Sequence, residues 1–296
     1  ECLTLFPGQR HDQMQGVKNS SRGPQPSSGP GNPGGGGRPG KPIGGDIVEG
    51  KRTVLLARTE AAADAEGQRL LSRVVGDAEA DEAADALISA GLRRAFPDVA
   101  LVTEEQADTH GQSLHTFLIV DPLDGTKEFA TGRQDWAVHV ALVEDGVPTH
   151  AAVGLPDLGV VFKSSDVRHV AGPFAGKVAL SRNRPPAVAT YVADALGFAT
   201  VPVGSAGAKA MHVLLGDYDA YVHAGGQYEW DQAAPVGVAL AAGLHASRLD
   251  GSALRYNNRD TYIPDIVICR PELADDILEA AARYRDEHGT FEGVAK

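Results

Sequence analysis

The chain has 296 residues, an apolar fraction of 43%, a charged fraction of 22% and a formal net charge of −12. That length can bury one large core or two modest ones, and the acidic balance works against general binding to nucleic-acid backbones or anionic lipid, which need a positive surface. Cys2 and Cys269 make neither a disulfide framework nor a metal motif, no apolar run is long enough to span a bilayer, and the N-terminus has no secretory pattern, so a cytoplasmic protein is expected.

In chain order, residues 7 to 45 come first, with Pro24-Gln25-Pro26 and Gly34-Gly35-Gly36-Gly37. They lack hydrophobic periodicity and cannot bury enough apolar surface to offset chain entropy, which predicts a disordered extension over 1–48. The remainder, 49–296, reads as a single domain, with halves at about 53–172 and 173–290. Ala, Leu and Val at helical spacing predict helices over Ala57–Val74 and Ala83–Ala95. Val99–Val102 and Phe117–Val120 are apolar runs of strand length, each ending in acidic residues. Trp136–Val143 and His150–Leu155 flank Glu144-Asp145-Gly146, a hairpin signal, with Val160–Phe162 as a third strand. Strands and helices then alternate: strand 177–181, helix 186–196, a short strand, helix 208–215, strand 218–223, helix Asp231–Ala242, strand Ile266–Ile268 and helix 272–285. Mixed sheets covered by helices suit that order, an α/β architecture.

The chemistry gathers at Asp121-Pro122-Leu123-Asp124-Gly125-Thr126, directly after an apolar strand. Pro122 and Gly125 turn the chain sharply as it leaves the sheet at Asp121, so that two acids three residues apart can point at one spot. Paired carboxylates suit magnesium, which takes oxygen ligands, while the same residues also make good turn chemistry; the hexapeptide alone leaves both readings open. Glu104-Glu105 ends the preceding strand, Asp231 precedes a long apolar helix and Asp81 opens the helix after Gly76. Taken singly these are a charged loop and two helix caps.

Together with Trp230-Asp231-Gln232-Ala233-Ala234-Pro235, the run Asp121 to Phe129 resembles the signatures of the inositol monophosphatase superfamily. The resemblance covers most of residues 75 to 285 and lies nearest the CysQ-type 3′(2′),5′-bisphosphate nucleotidases of actinobacteria, to which Gly204–Met211, His223–Gln227 and Ser247–Ser252 are also similar. It implies a layered αβαβα sandwich and a lithium-sensitive phosphatase using two or three Mg²⁺ ions. The implied ligands are Glu104, Asp121, Asp124, Asp231 and the Leu123 carbonyl, with Thr126 orienting a water that Asp81 polarises. The chain departs from the family pattern ahead of Asp81, where Val74–Ala80 replaces the usual run.

Substrate contacts are expected from the Gly125 and Thr126 amides, which can form an anion nest, and from Arg182, Ser205 and Lys209. Arg182 has a fork suited to phosphate but also reads as a surface arginine, and Lys209 reads equally as a second phosphate contact or a solvated helix residue. Tyr228, Trp230 and Trp136 either flank an adenine or pack in the core. His139 and His223 read as packed strand residues, since no second His or Cys stands at a metal spacing. The implied reaction removes the 3′-phosphate of 3′-phosphoadenosine 5′-phosphate, a by-product of sulfate assimilation. Inositol 1-phosphate and fructose 1,6-bisphosphate are the alternative substrates. The partner is then a small phosphorylated metabolite, with no nucleic acid or membrane, and the protein a monomer or homodimer.

Overall fold

A computed structural model describes residues 79–106 and 114–292. The predicted extension and the helix over Ala57–Val74 lie outside the described residues. Helix α1 (Glu79–Ala95) places Ala84, Ile88 and Leu92 four residues apart on one buried stripe, continued by Phe96. It packs on a five-stranded sheet in the order β1 (Ala100–Thr103), β2 (Thr116–Asp124), β3 (Ala137–Glu144), β4 (Val147–Leu155), β5 (Val160–Lys163). Only β1 and β2 run parallel; the remaining pairs are antiparallel. The β3–β4 turn carries Asp145 and Gly146 at positive φ, 49° and 77°, as a tight hairpin requires. A short helix α2 (Thr126–Ala130) follows β2 directly.

The second sheet has the order β7 (Ala199–Val203), β6 (Lys177–Ser181), β8 (Ala220–Tyr228), β10 (Tyr262–Cys269), β9 (His245–Ser247). Helices α3 (Ala187–Leu196) and α6 (Ala274–His288) cover one face. Helices α4 (Ala206–Leu215) and α5 (Glu229–Ala241) lie between the two sheets. Strand residues alternate between layers. Phe117 and Ile119 join the central core while Leu118 and Val120 face α1; Ile266 and Ile268 join the central core while Val267 and Cys269 face α3 and α6. The central strands of both sheets are buried on both faces, which is why they read as continuous apolar runs. The layers stack as αβαβα, the sandwich expected from the resemblance.

Two local expectations are corrected. The chain does not leave the sheet at Asp121: β2 continues to Asp124, and a bulge of one residue lies between the pairs Asp121 with His139 and Asp124 with Ala137. A regular strand would send residues three apart to opposite faces; the extra residue returns Asp124 to the face of Asp121 and accommodates Pro122. In addition, α5 begins at Glu229 rather than Asp231, because β8 runs through Gly225-Gly226 to Tyr228 and hands the chain straight to the helix.

Candidate active site

The bulge and the first turn of α5 bring Asp121, Asp124 and Asp231 together, with one carboxylate oxygen of each within 4.8 Å of the others. Asp121 holds its own loop by accepting the Leu123 N–H at 3.0 Å on Oδ1, and its buried Oδ2 has no partner. Asp231, third in α5, accepts the Tyr228 N–H at 2.5 Å on Oδ2, so the same carboxylate closes the helix start and faces the site. Glu104 lies on the turn after β1, outside that triad.

Asp124 is held more firmly. Its Oδ2 accepts from Ser205 Oγ at 2.5 Å and from the Gly207 N–H at 2.8 Å, and His139 Nε2 is 3.2 Å away. Burial works against its charge, but His139, Lys209 and Ser205 together hold the carboxyl down to about 2. The other acids go the opposite way. Burial first, then repulsion from neighbouring carboxylates, pushes Asp121 well above the ordinary range and Glu104 and Asp231 up to about 7. Acids crowded in this way, with an unpartnered buried oxygen among them, fit a hard divalent cation with oxygen ligands. Asp121, Asp124 and Asp231 would hold it, with Glu104 at the border.

Beyond the bulge, Gly125 adopts φ +95°, which side-chain-bearing residues rarely adopt. This lets Thr126 open α2 beside the acids. Thr126 Oγ1 donates to Asp81 Oδ2 at 3.1 Å and lies 3.4 Å from the Leu123 carbonyl. Burial raises the Asp81 carboxyl, with the Thr126 bond opposing it, and its Oδ1 is buried without a partner.

The side chains expected to contact substrate are engaged within the protein. Lys209 is fully buried, donating to the carbonyls of Gly204 at 2.7 Å and Ser205 at 2.8 Å. Burial pushes its ammonium down to about 8. Arg182 is paired with Glu128 at 3.1 Å and Asp135 at 2.6 Å, and donates to the Pro202 carbonyl. Ser205 caps α4, accepting the Ala208 N–H at 2.9 Å, and donates to Asp124. All three brace the 203–209 segment against the acids, a role that isolated residue types do not reveal. Trp136 is buried edge-on to Phe129, whereas Tyr228 is exposed and stacked on Trp230 with 5.1 Å between ring centroids.

The sequence reading of His139 as a packed strand residue agrees with its burial in β3, but its approach to Asp124 was not foreseen, and Glu128 and Asp135 were passed over. The available signal was a polar ring in the apolar run Ala137–Val143, one residue out of character with a buried strand.

A model of the inositol monophosphatase family matches residues 57–288. The 3′-phosphoadenosine 5′-phosphate phosphatase of Mycobacterium tuberculosis is 49% identical over 215 residues, covering 68% of this chain and 80% of that protein. The 3′(2′),5′-bisphosphate nucleotidase CysQ of Escherichia coli K12 is 32% identical over 204 residues, 62% of this chain and 80% of that protein. Among solved structures, an IMPase of Thermotoga maritima superposes with a TM-score of 0.64 at 19% identity, covering 79% of this chain and 99% of its own, a likeness of fold.

Proposed function

The chain belongs to the inositol monophosphatase family, and from that premise we propose that it removes the 3′-phosphate of 3′-phosphoadenosine 5′-phosphate, giving AMP and phosphate. Within the family it is of the CysQ type. The observation that carries the reading is the convergence of Asp121, Asp124 and Asp231 beside the Thr126–Asp81 pair. A metal-dependent phosphatase needs such a grouping, and a structural turn does not. Magnesium is the cation we assign, with Glu104 and the Leu123 carbonyl completing the ligand set. When bound, it supplies positive charge to the phosphoryl and leaving oxygens and makes water more acidic.

This chain's own residues supply orientation and a proton path. Thr126 Oγ1, with its hydrogen directed to Asp81, has lone pairs free to accept from a water, which fixes the direction in which that water's own lone pair points. As the water attacks phosphorus, its proton passes to Thr126 Oγ1 and the threonine hydrogen to Asp81 Oδ2, while the ester P–O bond breaks with its electron pair on the 3′-oxygen, which takes a proton from solvent to give AMP. The raised affinity of Asp81 for a proton suits that end of the relay. No histidine or covalent intermediate is required. The Gly125 and Thr126 amides, at the start of α2 where N–H groups lack partners within the helix, would receive phosphoryl oxygens. The protein would act on a small phosphorylated metabolite in the cytoplasm as a monomer or homodimer, sensitive to lithium. No helix among the described residues is long and apolar enough to cross a membrane.

Phosphate release from 3′-phosphoadenosine 5′-phosphate, inositol 1-phosphate and fructose 1,6-bisphosphate tests the substrate. A kcat/KM highest for the bisphosphate nucleotide is expected; a preference for either sugar phosphate would contradict the assignment.

A further inference from the structure

His139 lies in β3, fully buried and paired across the sheet with Asp121. A buried imidazole costs desolvation that an apolar residue would avoid, unless its nitrogens are met. Here each nitrogen faces a different layer. Nδ1 is hydrogen-bonded to the carbonyl of Trp230 at 3.2 Å, the residue that precedes Asp231 in α5, while Nε2 makes no hydrogen bond and is met only by the charge of Asp124 Oδ2 on β2, 3.2 Å away. Asp121 Oδ2 stands 4.0 Å from Nδ1. The ring therefore lies between the strand that carries two of the acids and the helix that carries the third.

A second observation points the same way. Helix α4 passes the ring at Gly207, where an added Cβ would fall inside van der Waals contact of Nε2 and close to the Ala137 Cβ. The Gly207 N–H, Ser205 Oγ and His139 Nε2 all approach one atom, Asp124 Oδ2. Oδ2 is thereby occupied, which hinders rotation of the carboxylate.

We propose that His139 is a positioning residue of the metal site: it fixes the Asp124 carboxylate through Nε2, ties it through Nδ1 to the turn that presents Asp231, and requires glycine at 207 to fit. The proposal rests on the reading of Asp121, Asp124 and Asp231 as a cation site. Partners that orient metal ligands from behind commonly contribute 10–100-fold in metal affinity.

The test is Mn²⁺ binding to the full-length protein, followed by electron paramagnetic resonance of the free ion, together with Tm, kcat and KM at saturating Mg²⁺. His139→Leu is expected to weaken Mn²⁺ binding by ~10–100-fold with little change in KM. His139→Gln, whose amide nitrogen can stand near the position of Nε2, should recover most of that loss. Gly207→Ala should weaken binding in the natural background and add less in His139→Ala, where the ring is gone and only the contact with the Ala137 Cβ remains. Variants that lower Tm while Mn²⁺ affinity stays within about twofold of the natural protein would overturn the positioning role. Equal losses from Gln and Leu would overturn the Nε2 contact. Failure of the unaltered protein to bind Mn²⁺ would overturn the cation site itself, and so separates the two claims.

Discussion

Asp124 and Thr126 stand two positions apart and have different electrostatic tasks. Asp124 is kept ionised by the groups around Oδ2, whereas Thr126 passes a hydrogen toward a carboxyl that burial makes receptive. Asp81→Asn removes that acceptor while keeping shape, and should lower kcat by ~10²–10⁴-fold with Mn²⁺ affinity unchanged. A kcat within a few-fold of the natural protein would remove Asp81 from the reaction. Arg182 gives the contrasting case. Its guanidinium is committed to Glu128 and Asp135, so Arg182→Ala leaves the buried Glu128 short of a partner and should cost about 1–3 kcal/mol of stability with KM little altered. A KM raised tenfold at unchanged Tm would instead return Arg182 to the substrate. Identity was readable at this scale, because acids are conspicuous after apolar strands; commitment was not. Whether Lys209 meets a phosphate or three carbonyls depends on how a loop folds back over it, which a single sequence does not display.

Among the elements, strands buried on both faces announced themselves as apolar runs, and β2, β3, β6 and the centre of β10 fall where Phe117–Val120, Trp136–Val143, residues 177–181 and Ile266–Ile268 placed them. The three-residue β9 carried no such signal, and the bulge in β2 was hidden because Asp-Pro-Leu-Asp-Gly has the composition of a turn. That bulge and the glycine after it decide where the acids point. Gly125→Ala would place a side chain at φ +95°, with its Cβ 3.3 Å from Ser205 Cβ and from Trp136. The left-handed conformation alone costs about 1–2 kcal/mol. Relief of that strain would shift Thr126 relative to Asp124, so Tm and kcat should fall together; a variant with full turnover would show that α2 need not start there.

At the scale of the whole molecule, the site forms where one sheet meets the central helices, and its acids repel one another until a cation joins them. Glu104 and Asp231 are raised to about 7 and Asp121 well above the usual range, so each holds its proton more tightly folded than unfolded. The stability this adds is complete below the ordinary carboxylate range of about 4 and is lost as pH rises through about 7. Metal-free protein should therefore show a falling Tm between about pH 5 and 8, and saturating Mg²⁺ should restore it most at the alkaline end, where the carboxylates are ready to bind. A Tm that is flat or rising over that window in EDTA would contradict the crowding of charge described for the site.

The central claim is that Asp121, Asp124 and Asp231 form the cation site of a phosphatase, and its most direct test is phosphate release from 3′-phosphoadenosine 5′-phosphate before and after complete metal removal. The account predicts turnover with Mg²⁺, none measurable in EDTA, and recovery when Mg²⁺ is returned. Turnover that persists in the metal-free protein would contradict it.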